Sequence, residues 1–355
     1  MAQRQQIDKA QFAQFEAIYP DLKELLLDHA RFYNLPPGDL EILKANLESN
    51  LLGGTYDSGM VVPSTVSVLI GATLGREQYK QAAALGWIVE LLRASFLMSD
   101  DIINGSISRR GKPCWHLQKG IGLTAINDSM ILKTSIYYLL KVLFRSHPAY
   151  VDLVELFVET SWHTEIGQLC DQFVGASNES ARSRLDSSSL PLYNYIVTNK
   201  TVYYSFYLPV AVALHFVGKA TEINLEHARK ITLSIGEYFQ VQNDYLEYFG
   251  SPEKMGNQGA DIRNHKHSWL LCQALESASP PQKEILERNF GSKDQAKRTA
   301  IKNLLERFGL NQRYFEFEEK RSEEVSQMIA ATDEGAGLKK EVFYALWNKV
   351  HDKDM

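Results

Sequence analysis

The segment SDDIINGSISRRGKPCWH brings together side chains that bind metal ions and phosphate groups. Asp100 and Asp101 are adjacent, and Asn104 follows Asp100 at the four-residue spacing that puts both on one face of a helix. Arg109 and Arg110 come soon after. Carboxylate and amide oxygens suit Mg²⁺, and arginine makes paired hydrogen bonds to phosphate oxygens. The segment therefore predicts a site for a metal-bound phosphate or diphosphate.

A second segment, GEYFQVQNDYLEYFG, repeats the pattern of oxygen ligands. Asn243 and Glu247 are four residues apart, and Gln240 and Asp244 flank them on nearly the same helical face. Either segment alone also resembles a helix end with solvated carboxylates. Two such helices facing each other would hold hard cations between them.

Two lysines near these segments also favour a diphosphate ligand. Lys200 precedes Thr201 in TNKTVYYSFYLP, and Lys266 follows the second acidic segment in RNHKHSW. Acidic residues alone are typical of a calcium site, whereas acids combined with arginine and lysine favour a metal-bridged diphosphate.

The elements that must position these residues are helices. An apolar stripe at Leu85, Val89, Leu92 and Phe96 has helical spacing and leads directly to Asp100. Helical periodicity continues along nearly the whole chain, and the breaks are short polar or Gly/Pro stretches such as LPPGD and GGTYDSG. We predict one all-α domain spanning residues 1–355, with roughly a dozen helices around a cavity.

Composition excludes several classes of protein. The chain has 355 residues, 43 acidic and 38 basic side chains and a net charge of −5, which argues against a nucleic-acid partner. Its three cysteines are too few and too scattered for a disulfide framework or a zinc site. No apolar run reaches the roughly 20 residues of a membrane span. We therefore expect a cytoplasmic protein without a membrane span.

Several blocks of the chain resemble the corresponding blocks of farnesyl diphosphate synthases: ALGWIVELLRASFLMSDDIINGSISRRGKPCW, TEIGQLCDQ, NKTVYYSFYLPVAVAL, GEYFQVQNDYLEYFG and HSWLLCQAL. The resemblance implies the all-α isoprenoid synthase fold and a homodimer. It also implies a prenyl diphosphate substrate that ionises with the help of Mg²⁺, in three ions, with Mn²⁺ as a substitute.

The same resemblance assigns a role to each candidate residue. The metal-binding positions are Asp100, Asp101, Asn104, Asn243, Asp244 and Glu247. The catalytic positions are Arg109, Lys200, Thr201, Gln240 and Lys266. The substrate-binding positions are Ser95, Phe96, Arg110, Gln168, Asp171, Tyr204 and Phe239.

The chain departs from the family where isopentenyl diphosphate binds. The family uses a Gly-Gly-Lys-x-x-Arg-Gly loop and a glutamine on the helix that carries the first acidic segment. In GGTYDSG, Thr55 and Ser58 replace the two cations and Asp57 adds an anion, while Arg93 replaces the glutamine. At about 1.5–3 kcal/mol for each charged hydrogen bond, we expect binding of isopentenyl diphosphate to be badly weakened.

These departures lead to the expectation of a terpene synthase of the sesquiterpene type, resembling those that some insects derived from farnesyl diphosphate synthase. Asn104 and Asn243 replace aspartates of the family. Ser95 replaces an aromatic residue that closes the floor of the family's product pocket, so a whole C15 chain would fit. Two alternatives remain: a prenyltransferase in which Arg93 and Arg110 rebuild the weakened pocket, or a catalytically silent paralogue that regulates a dimeric partner.

Overall fold

The computed structural model describes residues 2–176, 188–250, 267–289 and 294–351. Almost all of the regular structure in these residues is α-helix, so the prediction of an all-α protein is confirmed. The α-helices in chain order are α1 (Ala2–Glu16), α2 (Tyr19–Phe32), α3 (Pro37–Leu51), α4 (Val61–Ile70), α5 (Arg76–Ile103), α6 (Ala125–Phe144), α7 (Tyr150–Ala176), α8 (Leu190–Val197), α9 (Leu208–Phe216), α10 (Glu222–Phe249), α11 (Trp269–Ser277), α12 (Pro280–Asn289), α13 (Gln295–Arg307), α14 (Leu310–Ala330) and α15 (Lys340–His351). Short 3₁₀ turns lie at Trp115–Leu117 and Gly122–Thr124, and a π-helix spans Thr198–Tyr207.

Helix α5 positions the first acidic segment. Its apolar stripe is buried, with Leu85, Val89 and Leu92 fully inside the protein. The helix ends at Asn104, whose N–H donates to the Asp100 carbonyl at 2.9 Å, and Gly105 follows with a φ of +58°. By length and composition α5 is the one described helix that could cross a membrane, but 78% of its most apolar window is buried, as in the core helix of a globular protein.

A small hairpin after α5 carries the two arginines. Its strands, Ser108–Arg109 and Lys112–Pro113, pair antiparallel across a turn at Arg110 and Gly111. Both turn residues have positive φ values, +54° and +74°, as in the turns that match the twist of two-residue hairpins. Sequence patterning did not predict this hairpin, because two-residue strands are too short to alternate visibly.

The π-helix lies where two neighbouring helices carry glycine. A Cβ on Gly167 of α7 would lie 2.3 Å from the Lys200 backbone nitrogen, and one on Gly236 of α10 would lie 2.2 Å from Val202 Cγ1. Real Cβ atoms do not approach other atoms so closely, so both positions require glycine for this packing. The close approach holds Lys200 and its neighbours against two helices that carry candidate site residues.

The chain forms two compact units. The first unit contains Met1–Ser161, Leu208–Leu225 and Gly335–Val342, and the second contains Trp162–Tyr207, Glu226–Glu334 and Phe343–Met355. The first acidic segment lies in the first unit and the second acidic segment in the second. A single domain over residues 1–355 stays a prediction.

Candidate active site

In the first unit, Asp101 and Arg109 form a paired contact. Asp101 is 4% exposed, and its two carboxylate oxygens accept from Arg109 Nε at 3.1 Å and Nη2 at 2.5 Å. Burial alone would lower the pKa of Arg109, but the hydrogen bonds that it donates to Asp101 and the negative charges of Asp101 and Asp100 outweigh burial and raise that pKa. Asp101 thus holds the Arg109 guanidinium beside the last turn of α5.

Asp100 and Asn104 lie one helical turn apart beside this pair. Asp100 is half-buried in the last turn of α5, and Asn104 is exposed at its C-cap. Their spacing places two oxygen-bearing side chains on the same helix face, as the sequence predicts.

Arg110 packs against the GGTYDSG loop. Its Nη1 donates to the backbone carbonyls of Asn50, Leu51 and Leu52 at 3.3, 3.4 and 3.1 Å, which caps the C-terminal end of α3. Burial and then repulsion by Arg93 lower the pKa of Arg110. Arg93 reaches the other end of the loop through Glu90, which lies 3.3 Å from Arg93 Nη1 and accepts from the Gly59 N–H at 2.8 Å.

The anion of this loop, Asp57, makes a local hydrogen bond. The Thr55 hydroxyl donates to the Asp57 carboxylate at 2.5 Å, and both side chains are exposed. Ser58 is buried instead. A pocket in the first unit is lined by Gly53, Asp101, Arg109 and Arg110 among other residues, and anions of phosphate type suit such a lining.

In the second unit, Asp244 is 1% exposed and hydrogen-bonded on both oxygens. Oδ2 accepts from the Tyr193 hydroxyl at 2.8 Å and from the Trp269 N–H at 2.9 Å, while Oδ1 accepts from Gln240 Nε2 at 2.8 Å. Burial and the nearby Asp244 charge raise the pKa of Tyr193, so it remains a donor. Asp244 thereby orients Gln240 on α10, the helix that also carries Asn243 and Glu247.

A further ion pair lies in the second unit. Lys200 Nζ is 2.6 Å from Asp171 Oδ2, and both side chains are mostly buried. Thr201 follows Lys200 in the π-helix. On α7, one turn before Asp171, the buried Gln168 Nε2 has no hydrogen-bond partner among the described residues. A buried donor of this kind is typical of a surface that receives a polar ligand.

The predicted apolar wall is divided between the units. Ser95 and Phe96 lie on α5 in the first unit, where Ser95 is 3% exposed and its hydroxyl donates to the Leu92 carbonyl at 2.8 Å. Tyr204 and Phe239 lie in the second unit, where the ring centroids of Phe239 and Phe206 are 5.4 Å apart. Lys266 lies outside the described residues.

The oxygen ligands fit Mg²⁺ that is shared with a phosphate. Among the described residues no group of three or more His, Cys, Asp or Glu side chains is placed to hold a metal ion by itself. Each unit instead offers an i, i+4 pair, Asp100 with Asn104 and Asn243 with Glu247. Mg²⁺ is commonly held by one or two carboxylates together with substrate phosphates, which matches this donor set.

Sequence reasoning missed two residues that shape the site, Glu90 and Tyr193. Glu90 stands inside the apolar stretch ALGWIVELL, and a charge in such a stretch is a usable signal because buried carboxylates need partners. Tyr193 gave no comparable signal, because a tyrosine in an apolar helix is ordinary core.

Known proteins match this chain over nearly its whole length. A model of the polyprenyl synthetase family matches residues 41–308. Farnesyl pyrophosphate synthases of Schizosaccharomyces pombe and Candida albicans are 39% and 42% identical over 342 residues, 96% of this chain and 98% and 95% of theirs. A Trypanosoma brucei farnesyl diphosphate synthase solved with a bisphosphonate superimposes with a TM-score of 0.89 at 28% identity, covering 97% of this chain and 99% of that one.

These matches correct the expected activity. The expectation of a sesquiterpene synthase of the insect type is wrong, because the full-length relatives near 40% identity are farnesyl pyrophosphate synthases. The prenyltransferase alternative fits these relatives better. The substitutions at Thr55, Ser58 and Asn104 misled the sequence argument, since loss of individual cations does not by itself replace one reaction with another. The isoprenoid synthase fold is confirmed, and the chain belongs to the polyprenyl synthetase family.

Proposed function

We propose that this protein is a prenyltransferase that adds isopentenyl diphosphate to an allylic diphosphate, as farnesyl diphosphate synthases do, through an altered isopentenyl diphosphate pocket. The observation that supports it is the placement of Arg93 and Arg110 beside the GGTYDSG loop. Burial, and after it the positive charge of Arg93, lowers the pKa of Arg110. Two cations beside one loop would attract a second bound diphosphate.

Residues of each unit are proposed to serve the allylic diphosphate. In the first unit Asp100 and Asn104 would hold Mg²⁺, and in the second unit Asn243 and Glu247 would do so; when bound, the metal supplies Lewis-acid stabilisation of the departing diphosphate. Arg109, fixed by Asp101, donates to phosphate oxygens, and Lys200 is the corresponding cation of the second unit.

Asp101 and Asp244 are proposed to act as positioning residues. Both are buried, and protein donors hold both oxygens of each carboxylate. These bonds orient the groups around each carboxylate: Asp101 holds Arg109, and Asp244 holds Gln240 on the second metal-binding helix, while each oxygen that accepts a single hydrogen bond keeps a lone pair that can bind a metal.

We also propose a homodimer in the cytoplasm. On α7, Val151, Val158, Trp162 and Leu169 are 61%, 51%, 61% and 46% exposed and recur at spacings of seven, four and seven residues. Such a stripe on one helix is typical of a surface that packs against another helix. Size-exclusion chromatography with light scattering tests the dimer, and a monomeric mass at micromolar concentration would contradict it.

The test of the function is an incubation with Mg²⁺, geranyl diphosphate and labelled isopentenyl diphosphate, followed by dephosphorylation and chromatography of the products. We expect label in a prenyl alcohol of 15 carbons or more. Turnover of geranyl diphosphate without incorporation of label would contradict a prenyltransferase. No turnover of either substrate would contradict an enzyme of this class.

A further inference from the structure

Glu90 is a buried carboxylate on α5 that has no role in the reaction proposed above. The residue is 1% exposed, its Oε1 accepts from the Gly59 N–H at 2.8 Å, and its Oε2 lies 3.3 Å from Arg93 Nη1. A buried carboxylate persists only when it is paired and hydrogen-bonded, and these two partners meet that requirement. One side chain thus joins the last residue of the GGTYDSG loop to Arg93.

The loop is pressed onto α5 at this point. A Cβ on Gly59 would lie 2.7 Å from Glu90 Cγ, and one on Gly86 would lie 2.3 Å from the Gly59 carbonyl oxygen. At the other end of the loop, the Arg110 guanidinium covers Gly54. The loop is therefore held at both ends, by Glu90 and by Arg110.

We infer that Glu90 is a positioning residue for isopentenyl diphosphate: its carboxylate fixes the position of the Arg93 guanidinium relative to the Gly59 end of the loop. This inference rests on the proposed function. Two effects of Glu90 oppose each other, because its negative charge repels a diphosphate whereas its hydrogen bonds place the cation that attracts one. The two effects change the KM for isopentenyl diphosphate in opposite directions when the charge is removed, so experiment separates them.

The test is Glu90→Gln, which keeps the size of the side chain and an oxygen for the Gly59 N–H but loses the ion pair with Arg93. We expect at least a fivefold higher KM for isopentenyl diphosphate, with kcat and the KM for geranyl diphosphate within twofold of wild type. Arg93→Met, which keeps the length of the side chain but removes its charge and its N–H donors, should give a similar increase, and the double variant should be no worse than Arg93→Met alone, because both changes remove the same ion pair. Glu237→Gln, which removes a half-buried ion pair with Arg321 (3.0 Å) in the second unit, is the matched control and should leave this KM unchanged.

A KM that is unchanged or lower in Glu90→Gln would overturn the inference, since Glu90 would then only neutralise Arg93. An equal loss in every kinetic parameter together with a lower melting temperature would also overturn it, by showing a general structural role. If Glu90→Gln does not fold, Arg93→Met and Arg93→Lys decide: we expect the lysine variant to keep part of the affinity that the methionine variant loses, and equal affinity in both would refute a positioned cation.

Failure of the proposed function is recognised separately. If wild type incorporates no isopentenyl diphosphate, calorimetric titration of that compound into wild type, Glu90→Gln and Arg93→Met still measures the effect on binding. Weaker binding by both variants supports the positioning role, and equal binding by all three proteins overturns it.

Discussion

The Arg110 guanidinium occupies the space that a side chain at Gly54 would fill: a Cβ on Gly54 would lie 2.8 Å from Arg110 Cζ and 2.9 Å from Nη2. Arg110 reaches this position from a hairpin turn with positive φ and donates to the carbonyls that end α3. Glycine at 54 therefore serves the arginine of another element.

Replacing Gly54 by alanine should displace Arg110 from the loop. We expect a severalfold higher KM for isopentenyl diphosphate with little change in the KM for the allylic substrate, because the added methyl group moves one guanidinium of the proposed pocket. Steady-state kinetics with each substrate varied in turn measures the difference.

Gly53→Ala is the matched control for this prediction. Gly53 has a φ of +79° and open space around its Cα, so alanine there adds backbone strain of about 1 kcal/mol without touching Arg110. We expect a lower melting temperature and a smaller change in KM than for Gly54→Ala. Equal kinetic effects of the two variants would show that loop strain, and not Arg110, is responsible.

The paired oxygen ligands give a second prediction. Asp100→Ala should lower kcat by about 100-fold or more with an unchanged helical CD spectrum, since several kcal/mol of charge stabilisation depends on the cation. Asn243→Asp should lower the Mg²⁺ concentration needed for half-maximal activity, because a carboxylate replaces an amide. Full activity of Asp100→Ala, or of wild type in EDTA, would refute the metal requirement.

The sequence was sufficient to predict the helices and to predict which residues share a face of each helix. Leu85, Val89 and Leu92 have the spacing of a buried stripe and are buried, and Asp100 and Asn104 lie one turn apart, because helix geometry alone relates such positions. These inferences needed no knowledge of tertiary contacts.

The sequence could not predict hydrogen-bond partners that come from distant segments of the chain. Tyr193 and Trp269 are 51 and 25 residues from Asp244, and no local pattern predicts that both donate to its carboxylate. The choice of reaction failed for a related reason. The sequence shows the substitutions in GGTYDSG and offers Arg93 and Arg110 as replacement cations, but the contacts that hold these arginines beside the loop depend on the fold.

The packing of the π-helix against α7 gives a third prediction. Gly167→Ala should destabilise the protein by about 1–3 kcal/mol and lower activity, since the new methyl group collides with the Lys200 backbone and disturbs its ion pair with Asp171. Gly38→Ala in the first turn of α3 meets nothing within 4 Å and should be neutral or slightly stabilising. Denaturant unfolding of both variants makes the comparison, and equal stabilities would contradict the close packing.

The buried cysteines give a pH-dependent prediction. Burial, followed by the charge of Asp101, raises the pKa of Cys114 to about 11, so its thiol stays protonated and unreactive at neutral pH. Because the folded state holds this proton more tightly than the unfolded state does, its contribution to stability is complete below about pH 9 and is lost as the pH rises through 11. Iodoacetamide at pH 8 should modify the half-buried Cys170 before Cys114, as measured by peptide mass spectrometry. Faster modification of Cys114 would contradict this assignment.

The last prediction concerns product length and rests on Ser95. This side chain is buried on α5, and its hydroxyl is hydrogen-bonded within its own helix; the sequence resemblance implies an aromatic ring at this position in farnesyl diphosphate synthases. A missing ring frees much of the ~150–250 Å² of surface that an aromatic side chain buries, so the growing chain would meet its stop later. We expect wild type to form C20 product in addition to C15 when isopentenyl diphosphate is in excess. Ser95→Phe should abolish the C20 product and keep the C15 product, whereas Ser95→Ala, which removes the hydroxyl without adding volume, should leave the distribution unchanged. Chromatography of the dephosphorylated products decides, and a C15-only distribution in wild type, or C20 product in Ser95→Phe, would show that another residue sets the length.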